Sequence, residues 1–240
     1  MSVWLHDVGK LVIPLEVMDK PTRLGELEDG LLHKISTGIL MERIRGLEHP
    51  EEKEDADERI NKINEAKELF LKANTAGFLP DETLDAIRNA GEMLVLDAEG
   101  NEISLLNEEE LVAMTVRKGT LTDEERKIMQ SHVVNTDKML SKMIFDGDYS
   151  NVPVWAASHH EFLNGSGYPN HLKAEDLPKE TRLLTILDVY DALTAEDRPY
   201  KPAMPVEKAF SILHNMVEDG QIDGDILALY EESEAWKKDN

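Results

Sequence analysis

Ser158-His159-His160-Glu161-Phe162-Leu163-Asn164-Gly165-Ser166-Gly167-Tyr168-Pro169 sets two adjacent imidazoles and a carboxylate directly ahead of a glycine-hinged loop ending in Tyr-Pro. Imidazole is a common metal ligand, and glycine admits backbone conformations that other residues avoid. The stretch reads as a metal site with a substrate loop attached; taken alone, it is equally a His pair at a helix end followed by a turn. Its flanks are helical. Before it, Val152-Pro153-Val154-Trp155-Ala156-Ala157 predicts a short apolar helix, with the proline in the first turn where its missing N–H costs nothing. After it, residues 182–193 are apolar nearly all the way round, which predicts a buried helix. Asp188 and Asp191 lie within that helix, where unpaired charges are costly, so both are expected to meet cations, donors or a metal.

The remaining candidate ligands lie far away in sequence. His6-Asp7-Val8-Gly9-Lys10 follows Val3, Trp4 and Leu5, which read as the apolar end of a buried helix. His6 and Asp7 supply a nitrogen and a carboxylate able to bridge two cations, Gly9 a tight exit, and Lys10 a mobile positive charge. The plainer alternative is a turn capping a helix with His6 merely packed. Thr122 and Glu125 form a capping box that starts another helix. Its inward stripe is Ile128, Met129, Val133, Thr136, Leu140 and Met143, with His132 inside it; a lone His on such a face is also an ordinary core residue.

Residues 11–24 read as an ordered loop broken by prolines. Beyond them the character changes. Residues 26–47 carry helical apolar spacing at Leu27, Leu31, Ile35, Ile39 and Leu40, with Gly46 as the expected end. Residues 51–73 form a charged helix with one apolar seam, 80–81 start a third helix, and 94–106 predict a small hairpin. The expected organisation is therefore a core of 1–24 and 117–240, interrupted by an inserted, mainly helical subdomain over 25–116. Near the C-terminus, 205–220 and 225–236 predict two closing helices.

Composition narrows the function classes. The 240 residues carry a formal net charge of −23, which argues against wrapping a long nucleic acid, since that requires a basic face. The chain has no cysteine, so any metal must sit on His, Asp and Glu. No apolar run is long enough to span a membrane, and the N-terminus lacks the pattern of a signal peptide. A cytoplasmic protein is the expectation.

His6-Asp7-Val8-Gly9-Lys10, the capped helix leading to His132, His159-His160-Glu161 with Gly165-Ser166-Gly167-Tyr168-Pro169, Asp188-Val189-Tyr190-Asp191 and Arg198-Pro199-Tyr200-Lys201 occur in the order seen in the HD-GYP family. The chain resembles that family, a bacterial signalling branch of the all-helical HD phosphohydrolases whose members hydrolyse cyclic di-GMP. The resemblance implies an all-α, HD-domain-like helical bundle. It implies that His6, Asp7, His132, His159, His160 and Asp188 are metal ligands for two divalent ions, Fe or Mn first, with Zn, Ni or Mg as alternatives. Asp7 and Lys10 would be catalytic, with Lys10 also contacting the scissile phosphate. Gly165, Gly167, Tyr168 and Pro169 would border the substrate pocket, and Asp191, Arg198 and Lys201 would hold the dinucleotide.

The chain departs from the family in two ways. Members carry a further His, in some a Glu as well, on a helix upstream of the His-Asp pair, and nothing ahead of His6 supplies one. The block between the first two motifs is also longer than is usual there. The implied reaction is attack of a metal-bridging hydroxide on phosphorus, opening cyclic di-GMP to linear pGpG, with GMP as a further product. Two other readings stay open: a non-catalytic module that senses a cyclic dinucleotide or docks to a diguanylate cyclase, and an HD phosphohydrolase of another nucleotide such as cyclic GMP-AMP. Further expectations are a homodimer and an upstream sensor in a longer parent protein.

Overall fold

The structure, a computed structural model, describes residues 1–195 and 204–237. Its elements in chain order are α1 (Ser2–Leu5), a 3-10 turn (Val8–Val12), α2 (Leu15–Met18), α3 (Leu27–Glu48), α4 (Lys53–Thr75), α5 (Asp81–Gly91), β1 (Leu94–Leu96), β2 (Glu102–Ser104), α6 (Glu108–Met114), α7 (Asp123–Leu140), α8 (Val152–Ala156), α9 (Lys179–Thr194), α10 (Val206–Glu218) and α11 (Gly224–Glu232). The fold is all-α, with one antiparallel hairpin in which Val95 faces Ile103. The chain forms two compact units, Pro14–Arg126 on one side and Met1–Ile13 with Lys127–Asn240 on the other, each described by itself.

In the unit 14–126, α3 and α4 pair as a helical hairpin through a short 3-10 turn at Pro50–Glu52. Leu31 and Ile35 of α3 meet Ile63, Ala66, Phe70 and Ala73 of α4 in the core, because the apolar positions recur at helical spacing along both. Leu40 falls off that seam and is exposed. Gly46 does not end α3, which runs on to Glu48; a side chain there would crowd Ala56, and glycine lets the helices pass close. Helix α6 starts from a capping box of Asn107 and Glu110, a signal of the same type as the Thr122–Glu125 box that opens α7.

The division between units falls at 13/14 and 126/127, which groups 14–24 and 117–126 with the helical block. Arg23 supplies the physical reason. Its guanidinium is fully buried and donates to the carbonyls of Val116, Ala73 and Ala76, the last two at the C-terminal end of α4, where helical carbonyls run out of partners and only Ala73 has another donor, the Ala76 N–H. Asn74 extends the clasp by accepting from the Leu24 N–H and donating to Glu28. Residues 11–18, expected as loop, instead form the 3-10 turn and α2. Pro14 stands as the N-cap of α2, a position where its ring does not interrupt the helix.

In the unit holding Met1–Ile13 and Lys127–Asn240, the core is built on Ile186 and Tyr190 of α9, Ala209, Phe210 and Leu213 of α10, and Ile222 and Leu227 near α11. Two expectations need correction. Helix α1 has no buried residue, and Trp4 is 89% exposed, because this single turn sits on the rim of the unit rather than inside it. Helix α9 is buried along one face only: Leu183 is exposed, and so is Asp191. The apolar run is thus longer than the face the neighbouring helices cover. Among the described residues, no helix is long and apolar enough to cross a membrane.

Candidate metal centre

His6, Asp7, His132, His159, His160 and Asp188 converge within the second of these units, from α1 and the turn after it, α7, the end of α8, and α9. Three of the imidazoles are oriented by the same local device. His6 Nδ1 donates to the Val3 carbonyl at 2.7 Å, His132 Nδ1 to Met129 at 2.7 Å and His159 Nδ1 to Ala156 at 2.6 Å. A carbonyl oxygen only accepts, so each Nδ1 carries the proton and each Nε2 presents its lone pair inward.

These lone pairs meet other lone pairs. His132 Nε2 lies 3.4 Å and His159 Nε2 3.8 Å from Asp7 Oδ1, and all three atoms are buried without a hydrogen-bond partner. On the other carboxylate oxygen, His6 Nε2 lies 3.4 Å from Asp7 Oδ2, and it lies equally far from Asp188 Oδ1. His160 Nδ1 is 3.8 Å from Asp188 Oδ2. Acceptors facing acceptors in a buried cluster are unfavourable unless a cation stands among them. Two overlapping groups have ligand atoms close enough to share an ion: His132, His159 and His160, and His6, Asp7 and His159. Nitrogen and oxygen donors without thiolate suit a hard or borderline divalent metal.

The electrostatics agree with that donor set. Burial pushes His159 down to about 4 and, with the neighbouring His159 charge, His160 down to about 3, so both are neutral at pH 7. Burial also lowers His132. Asp188 is held down at about 2: its burial works the other way and is outweighed by His6, whose Nε2 lies 3.4 Å from Oδ1, and by the charges that the surrounding imidazoles carry when protonated. Asp7 is likewise lowered against its burial, chiefly by Lys10, whose Nζ sits 2.6 Å from Asp7 Oδ2. His6 differs from the other rings: burial opposes its protonation, but Asp188 and Asp7 beside Nε2 raise it, so without a metal its Nε2 is the one that takes up a second proton most readily, in the place a cation would otherwise hold.

The cluster is held together by residues to which the reading of the sequence gave no such part. Thr136, one turn after His132 on α7, accepts from the Gly9 N–H at 3.0 Å and donates to the His6 carbonyl at 2.9 Å. Gly9 lies so close to α7 that a Cβ would come 2.0 Å from the His132 carbonyl oxygen; close approach, more than a tight exit, explains the glycine. Thr185 of α9 donates to the His159 carbonyl at 2.8 Å, on the helix that also carries Asp188. For the two threonines the signal was present, a hydroxyl on an otherwise apolar helical face, but its partner is remote in sequence.

Tyr168 stacks on His160 with centroids 4.9 Å apart and planes at 26°, and the Tyr168–Pro169 bond is cis. Burial raises the phenol, and the charges of Asp188 and Asp7 add to the effect. Gly165 takes a positive φ of 77°, and Gly167 is buried beneath the loop. A cleft of about 760 Å³ adjoins the cluster, lined by His6, Asp7, Lys10 and Asp188 on one side and by Asp191, Tyr230 and Trp236 among others. Asp191 is thus brought to the cleft as an exposed group instead of a buried one. Arg198 and Lys201 lie outside the described residues.

Residues 108–226 match the family model of the HD domain. The chain is similar to the 3'3'-cGAMP-specific phosphodiesterase 3 of Vibrio cholerae, 36% identical over 101 residues that cover 42% of this chain and 21% of that protein. It is also similar to a cyclic di-GMP phosphodiesterase of Thermotoga maritima, 34% identical over 107 residues covering 42% and 27%. To the cyclic di-GMP phosphodiesterase response regulator RpfG of Xanthomonas campestris it is 34% identical over 106 residues, covering 42% and 26%. The matches span about a quarter of the length of these curated relatives.

Proposed function

We propose that this chain is a metal-dependent phosphodiesterase that opens cyclic di-GMP to linear pGpG, with GMP as a further product. The observation that carries the reading is the buried convergence of Asp7 Oδ1, His132 Nε2 and His159 Nε2, three lone-pair atoms without hydrogen-bond partners. The names of the similar proteins support the substrate class. In this reading His6, Asp7, His132, His159, His160 and Asp188 hold two divalent ions, Fe or Mn before others, with Asp7 offering one oxygen to each side of the cluster. When bound, such ions lower the pKa of water and stabilise charge on phosphoryl oxygens.

The chain's own groups do the rest. Lys10, half exposed beside Asp7, brings a mobile cation to a negatively charged phosphodiester in a protein whose net charge otherwise repels it. The carbonyl partners of Nδ1 keep His6, His132 and His159 in the tautomer that binds metal, so no reorientation precedes substrate binding. The cleft has the volume of a small-molecule site, with Asp191 and the rings of Tyr230 and Trp236 on its wall available to bases and ribose. Tyr168, stacked on His160, meets the metal cluster itself, and the 165–169 loop is not among the residues that line the cleft. The reading places the protein in the cytoplasm.

A second substrate, 3'3'-cGAMP, is favoured by the similarity to a phosphodiesterase named for it. The test is metal-analysed protein incubated with cyclic di-GMP and with 3'3'-cGAMP, the products separated by chromatography. Linear dinucleotide from either is expected, and the preferred substrate is the one with the higher kcat/KM. Fully metallated protein that binds but cuts neither would replace the enzyme with a sensing module.

A further inference from the structure

Glu161 follows the His pair directly, yet its carboxylate is turned away from the metal cluster and buried, with 1% of the residue exposed. Both oxygens are engaged by backbone on the far side of the glycine loop: Asn170 N–H donates to Oε1 at 2.6 Å and Leu172 N–H to Oε2 at 2.9 Å. Between these anchors and the histidines the loop is pinned again, since Tyr168 N–H donates to the His160 carbonyl at 3.1 Å. Gly167 completes the strap. A Cβ there would lie 2.4–2.5 Å from Phe162 N, Glu161 Cα and the His160 carbonyl oxygen, so only glycine allows the loop to lie on the His160–Glu161 backbone.

The consequence reaches the site through one contact. Tyr168 lies between Gly167 and the Asn170 anchor, and its ring is the one stacked on His160. A loop rich in glycine and open to solvent at Asn164, Ser166, Asn170 and His171 would otherwise sample many conformations. We propose that Glu161 is a positioning residue: by binding the Asn170 and Leu172 amides it holds the 165–169 loop as a preformed wall, with Tyr168 fixed against His160, and thereby sets how tightly the dinucleotide is captured. Both Glu161 oxygens are taken by loop amides, so the residue acts through Tyr168. The link to capture rests on the proposed function, whereas the pinning of the loop does not.

Two measurements on the full chain separate these parts. Amide exchange by NMR in the wild-type protein tests the pinning without any variant. Asn170 and Leu172 amides should be protected, with the His171 amide between them exchanging at least about tenfold faster, since it has no acceptor among the described residues. Equal exchange at 170, 171 and 172 overturns the positioning role. Glu161→Gln keeps the shape but turns a donor toward an N–H. It is expected to raise KM for the preferred cyclic dinucleotide about tenfold, with kcat within about threefold and metal content unchanged. Wild-type KM, or a loss of metal in Glu161→Gln, overturns the proposal. A wild-type chain that cuts no cyclic dinucleotide while showing the alternating exchange overturns the proposed function and the capture step together, and leaves the pinning standing.

Discussion

Replacing Thr136 by Val would remove the one buried hydroxyl that joins the His6–Gly9 turn to the helix carrying His132. The side chain is fully buried, and Val matches its shape. Two groups lose their partner: the Gly9 N–H, 3.0 Å from Oγ1, and the His6 carbonyl, 2.9 Å from it. Water does not readily substitute, because Gly9 already lies against the α7 backbone. An unpaired buried polar group costs about 1–3 kcal/mol, and the added methyl returns less than about 1 kcal/mol. For the two groups together the net loss is therefore about 1–6 kcal/mol, set against the roughly 5–15 kcal/mol that a domain has. If the turn relieves the cost by drawing away from α7, it carries His6 and Asp7 away from His132. Two assays follow: urea unfolding of the chelator-treated protein, and metal affinity by chelator competition, expected to weaken by about tenfold or more. Thr136→Ser keeps the hydroxyl and should retain most of both. A Thr136→Val protein within about 0.5 kcal/mol of wild type and with unchanged metal affinity would refute the reasoning.

Asp7→Asn keeps the volume but replaces an anionic oxygen by an amide at the point where His132, His159 and His6 meet; metal content should fall, and turnover with it by at least about 100-fold, read by elemental analysis and product chromatography. His159 and His160 have folded pKa values of about 4 and about 3, below their unfolded value, so the unfolded chain binds protons first; their stability contribution is present above about pH 6.5 and lost as pH falls toward 4 and 3. His6, shifted upward, opposes this, contributing below about pH 6.5 and losing its contribution as pH rises through its folded value. Metal-free protein should thus be about 1–3 kcal/mol less stable at pH 5.5 than at pH 7.5, and equal urea midpoints at the two pH values would count against the cluster as drawn. Arg23→Met strips the carbonyls of Val116 and Ala76 of their donor, leaves Ala73 with only the Ala76 N–H, and should cost the 14–126 unit about 2–4 kcal/mol, measured by urea unfolding; a change under about 0.5 kcal/mol would show that the clasp is incidental.

Much of the helical framework was legible because helix signals are local. The Thr122–Glu125 capping box, the apolar spacing through Leu31 and Ile35 and the proline in the first turn of α8 each act within a few residues, and each element formed where expected. The 94–106 hairpin was legible for the same reason. What misled was treating hydrophobicity as burial: Trp4 and Leu183 belong to apolar runs, yet both face solvent, since a helix buries only the surface its neighbours cover. Asp191 was misjudged along with them.

The site divides along the same line. The residue types and their order told which chemistry was available, because His, Asp and an absence of Cys define a donor set whatever the fold. The carbonyls that occupy Nδ1 of His6, His132 and His159 stand only three residues back in the chain. That Asp7 faces His132 and His159, and that Thr136, Thr185 and Glu161 hold the arrangement, were decided only by tertiary structure. Hydrogen bonds act over about 3 Å, and the partners here stand 26 to 130 positions apart in the chain or, for Glu161, across a loop that must first close on itself.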